Sequence, residues 1–118
     1  QGYFWYEKDA PGCKTYLQLE EETLCFRIVV EEKESRPMLR KQWHERIRDE
    51  ASAVGLKVTR PRRFGNGRTM TVTVLQGDYR QVDDTTGLLD LDATLDVLRQ
   101  AEHVLDSAVE RSALVAGE

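Results

Sequence analysis

A chain of 118 residues is long enough for one domain with its own core and short for several. With 40% hydrophobic and 32% charged residues and only 3 prolines, the composition excludes a disordered or low-complexity chain, and no apolar run approaches the roughly 20 residues of a membrane-spanning helix. The net charge of −4 argues mildly against a dedicated nucleic-acid binder, yet it is unevenly spread: residues 1–35 carry −4, residues 36–68 carry +7 and residues 69–118 carry −7.

The chain opens on Gln1, without an initiator methionine, a basic start or an apolar stretch, so a piece of a longer, unexported protein is expected. Aromatic residues fill Tyr3 to Tyr6 and predict a first strand, and Pro11-Gly12 marks a turn. Tyr16 to Glu20 alternates, with Leu17 and Leu19 facing one way, until Glu20-Glu21-Glu22 forces a second turn. Leu24, Phe26, Ile28 and Val30 then alternate with Cys25, Arg27, Val29 and Glu31, the period of a long strand with one buried face.

Ser35 reads as an N-cap followed by Pro37, and Leu39, Trp43, Ile47, Ala51 and Val54 recur at helical spacing up to a C-capping Gly55. A short strand over residues 56–59 follows, and residues 60–68 form an irregular loop. Met70, Val72 and Val74 are expected to face inward and Thr69, Thr71 and Thr73 outward. Asp90 caps a last helix with an apolar stripe of Leu91, Leu95, Leu98, Leu105, Ala108 and Val109, fraying beyond Ser112. Asp92 and Asp96 near its positive end need no catalytic explanation. The prediction is a single α+β domain over residues 1–118: an antiparallel five-stranded sheet with two helices on one face, in the order βββαββα.

No Gly-rich phosphate loop, metal-ligand spacing or Ser/His/Asp set occurs, and His44 and His103 read as ordinary helix residues, so no catalytic residue and no cofactor is assigned. Cys13 and Cys25 fit reduced thiols in a cytoplasm, with a single bridge as the alternative to burial of Cys25 as a small hydrophobe. Gly65-Asn66-Gly67 connects two strands and lacks the strand-to-helix setting of a nucleotide motif. Glu31 and Lys33, with Glu20 as a distant third group, are the one arrangement resembling a metal-dependent nuclease core, but charged residues at a strand end are usually a solvated exit from the sheet, and that is the reading taken.

The better candidate is basic. Lys57, Arg60, Arg62, Arg63 and Arg68 fall within one predicted hairpin, where arginine forks suit phosphate oxygens and Phe64 either stacks on a base or plugs the core. The same arginines suit ion pairs with the acidic segments.

The stretch from Arg63 to Val72, with Tyr16-Leu17-Gln18-Leu19 and Leu24-Cys25-Phe26-Arg27-Ile28, resembles the C-terminal part of bacterial proteins of the PD-(D/E)XK nuclease superfamily. The resemblance implies a non-catalytic accessory domain whose nuclease signature, with its Mg²⁺, lies N-terminal to this region, and whose partners are nucleic acid or that catalytic half. The order βββαββα also resembles, in architecture alone, acidic secretion chaperones that act as homodimers; there Tyr3, Trp5 and Tyr6 would form a dimer or client surface.

Overall fold

In the computed structural model, which describes residues 2–116, Pro11-Gly12 reverses the chain between β1 (Gly2–Ala10) and β2 (Cys13–Glu20), with Gly12 at φ 81°. A second tight turn, in which Glu21 takes φ 54°, leads into β3 (Thr23–Val29). A single 3₁₀ turn precedes α1 (Arg36–Ala53), and β4 (Val58–Thr59), β5 (Thr69–Leu75) and α2 (Leu91–Ala116) complete the predicted order. Residue 1 and residues 117–118 lie outside the described residues.

The sheet order is β1-β2-β3-β5-β4, and every neighbouring pair is antiparallel. β5 therefore inserts between β3 and β4, which run parallel to each other and are joined across the sheet by α1. Both helices cover one face. Leu17, Leu24, Phe26, Ile28 and Val72 of the sheet meet Trp43 and Ile47 of α1 and Val104, Leu105 and Ala108 of α2 in one buried cluster.

The ends of the helices follow from local chemistry. At the end of α1, Gly55 (φ 76°) donates to Ser52 and Leu56 donates to Ala51, the paired bonds of a Schellman motif, and Leu56 is buried beside the helix. Asp90 caps α2 as expected, its carboxylate accepting from the Ala93 N–H at 3.0 Å. Ser35 stands at the N-cap position of α1, but its hydroxyl turns to Glu32 and leaves the first-turn N–H groups alone.

Several sequence expectations shift. The fourth strand shortens to two residues, and β3 ends at Val29. α2 continues in helical form to Ala116. Its buried face is Thr94, Ala101, Val104, Leu105, Ala108 and Ser112, while Leu91 is exposed and Leu95 and Leu98 are half-buried.

Two bulges interrupt the alternation. Trp5 is the extra residue where β1 meets β2, and Val72 is the extra residue where β5 meets β3. After Val72 the facing is the reverse of a simple alternation: Thr73 is fully buried, whereas Val74 lies with Cys25 and Thr71 on the face without helices. At Trp5 the bulge aims two successive aromatics at α2. The Trp5 indole donates to Glu102 at 2.7 Å, the Tyr6 hydroxyl donates to Asp106 at 2.7 Å, and Lys8 reaches Asp106 at 3.5 Å. Burial and the Asp106 carboxylate push the Tyr6 hydroxyl up to about 12. Trp5 and Tyr6 thus fasten α2 to the sheet and are half-buried, whereas Tyr3 is 65% exposed and lines a depression with Trp5, Leu95 and Leu98.

Candidate functional site

The five basic residues singled out in the sequence do not form one cluster. Arg68 is committed to Glu31 in a two-armed ion pair, Nε to Oε1 at 2.7 Å and Nη2 to Oε2 at 2.6 Å. Lys57 lies apart, beside Arg48 and Gln76 in a shallow depression at the β4 edge. Arg62 and Arg63 line a depression of about 840 Å³ on the open face of the sheet, where Glu20, Glu21, Glu22 and Asp78 form part of the same lining. An arginine wall facing an acidic wall neutralises itself and repels phosphate as much as it attracts it.

Arg60 borders that depression and also a second groove, of about 530 Å³, between the loop and α1. Here the balance differs. Arg40, Lys41 and Arg48 of α1 join Arg60, Glu45 is the only carboxylate in the lining, and Asp49, just outside it, reaches Arg48 at 3.5 Å. The sequence reading missed the three α1 cations because they lie 12–20 positions before Arg60. The signal was present in the spacing: Arg40, His44 and Arg48 recur every fourth residue and share one face of the helix.

Phe64 organises this groove. The Arg60 guanidinium lies 4.4 Å and the Arg40 guanidinium 4.9 Å from the ring centroid, and the His44 imidazole meets the ring nearly edge-on at 5.9 Å. Arg40 also donates to the Gly65 carbonyl at 2.8 Å and to the Asn66 side chain, tying the loop to α1. Phe64 is half-buried and stands outside the core cluster.

His44 lies beneath the groove. Its Nδ1 is 2.9 Å from both the Val72 carbonyl and the Thr73 hydroxyl. A carbonyl only accepts, so Nδ1 carries the proton and donates to the oxygen of Val72, the extra residue of the bulge. Burial lowers the pKa of His44, and the nearby Arg48 and Arg60 lower it further against the opposing effect of the Val72 bond. The imidazole is a structural donor.

The nuclease-like arrangement does not assemble. β3 ends before Glu31, Lys33 belongs to the 3₁₀ turn, and Glu31 is held by Arg68. Glu20 pairs with Thr23 at the opposite end of β3, roughly 20 Å from Val29 by strand rise. Among the described residues no group of three or more Cys, His, Asp or Glu side chains is placed to hold a metal ion, and no helix is long and apolar enough to cross a membrane.

Both cysteines are free. Cys13 lies near Trp43 and Arg46 of α1, whereas Cys25 lines the open face and pairs in register with Gln18, five residues from Cys13. Roughly 16 Å of strand separates those positions, well beyond the span of a disulfide. Comparison with protein-family models, with curated proteins and with solved structures finds no match.

Proposed function

We propose that this chain is a non-catalytic accessory domain of a PD-(D/E)XK nuclease-like protein, and that it contacts nucleic-acid phosphates through the groove between α1 and the 60–68 loop. The observation that carries this reading is the convergence of Arg40, Lys41, Arg48 and Arg60 on one groove with a single opposing carboxylate. Of the loop residues first considered, Arg60 is the one that faces the ligand; Arg68 is spent on Glu31, and Arg62 and Arg63 share their surface with acids. Divalent-metal chemistry belongs, on this reading, to the catalytic half.

The test is a titration of labelled DNA and RNA at low and moderate salt. Binding is expected to weaken steeply with salt, and replacing Lys41, Arg48 and Arg60 by alanine should flatten the log–log slope by about 0.7–0.9 per removed phosphate contact. No binding by the folded domain at low salt, or binding indifferent to all three replacements, would end this reading.

A second reading, a homodimeric protein-binding module of the secretion-chaperone kind, is favoured by a different observation. Val82, Leu88, Leu89 and Leu91 are all more than half exposed in and just after the segment leading into α2. Sedimentation equilibrium separates the two: a dimer that dissociates when Leu89 and Leu91 become polar, without nucleic-acid binding, supports the module.

A further inference from the structure

We infer that the groove between α1 and the 60–68 loop grips the phosphodiester backbone alone, with Phe64 acting as a prop for guanidinium groups and not as a platform for bases. This rests on the nucleic-acid reading above and narrows it to one chemical part of the ligand.

The argument begins with what already occupies the ring. Two guanidinium groups lie over Phe64, at 4.4 and 4.9 Å from its centroid, and the His44 imidazole packs against it at an interplanar angle of 69°. Arg40 is fixed further by hydrogen bonds to Gly65 and Asn66. A base could reach the ring only by breaking those contacts. A phosphate has to break none at Arg60, whose exposed guanidinium lies over the ring with its N–H groups open to anionic oxygens, while Arg40, with Nη1 on Gly65 and Asn66 and Nε buried, has only Nη2 left to offer.

The rest of the lining agrees. It holds no Asn or Gln to read an adenine edge, and the one imidazole in it has its Nδ1 proton committed to Val72. The cations also have a linear layout. Arg40 and Arg48 are separated by two turns of α1, roughly 12 Å, so the positive charge forms a row along the helix as a chain of phosphates requires.

The experiment compares three ligands on the full chain at low salt: an oligothymidylate of about 16 nucleotides, an abasic oligonucleotide of the same length, and inorganic polyphosphate. The two oligonucleotides are expected to bind within about threefold of each other, and Phe64→Leu should weaken both by the same factor because it loosens Arg40 and Arg60 alike. Arg60→Ala, at an exposed position outside the core, provides the same comparison if the Phe64 variant loses its fold. An abasic ligand bound at least about tenfold more weakly than the oligothymidylate would overturn the inference while leaving the nucleic-acid reading in place. So would a Phe64→Leu effect confined to the base-bearing ligand. Binding of polyphosphate with no binding of either oligonucleotide would overturn both, and reassign the groove to another phosphate chain.

Discussion

The imidazole of His44 donates from Nδ1 to the carbonyl of Val72, the extra residue of the β5 bulge, across 2.9 Å. One side chain of α1 thereby reaches a backbone acceptor of β5, and it does so as the neutral imidazole. Because burial lowers the folded pKa below the ordinary 6.5, the unfolded chain binds the proton more tightly. This contribution to stability is fully present above about pH 6.5 and is lost as pH falls through the lower folded value. NMR titration of the His44 ring should place its midpoint below that of His in a denatured chain; a midpoint at or above the ordinary value would refute the assignment. His44→Phe should cost about 1–3 kcal/mol in urea denaturation, the penalty of an unsatisfied buried carbonyl.

The bulge also sets apart two adjacent positions. Thr73 is buried with its hydroxyl against His44, and Val74 sits on the open face. Thr73→Val is therefore expected to cost about 0.5–1.5 kcal/mol, while Val74→Thr stays within about 0.5 kcal/mol. Regular alternation demands the reverse order, so denaturation of the two variants side by side decides between the facings.

Glu31 and Arg68 form a surface pair, and the Arg68 guanidinium holds the Glu31 carboxyl below the ordinary carboxylate value. The pair's contribution is present above the unfolded carboxylate pKa and lost as pH falls through the depressed folded value. In a carbon-detected NMR titration, Arg68→Ala should raise the Glu31 midpoint back toward 4.5. The same variant should retain nucleic-acid affinity; a large loss would return Arg68 to the ligand-facing set.

Burial pushes the thiols of both Cys13 and Cys25 up to about 11, from 9.0 in an exposed setting. Near pH 8 the thiolate fraction falls by about two orders of magnitude relative to the unfolded chain. Native-state alkylation by iodoacetamide should be slower by about that factor, and should recover in denaturant. Rapid labelling of Cys25 in the folded protein would contradict its placement.

The architecture was legible because each element repeats its own period. Leu24, Phe26 and Ile28 alternate, Leu39, Trp43 and Ile47 recur by helical turns, and Asp90 and Gly55 terminate helices by mechanisms that act locally. What escaped depends on a partner far along the chain. An extra strand residue such as Val72 leaves no mark in composition, and it exists only relative to the strand beside it. The groove proposed above was not legible for the same reason. Neighbours in sequence, Arg62 and Arg63, point to a surface shared with acids, while Arg60 finds its companions in α1.

The two bulges also bear on how this chain can change length. Remove Trp5 from β1 or Val72 from β5, and the residues on either side fall into unbroken two-residue alternation with every other side chain still on its present side. Loss of a residue elsewhere in the long strands would invert everything beyond it. Each bulge is, in genetic terms, a single codon accommodated without shifting the frame of inward and outward residues, even though the extra residue makes contacts of its own, Trp5 with Glu102 and Val72 with His44.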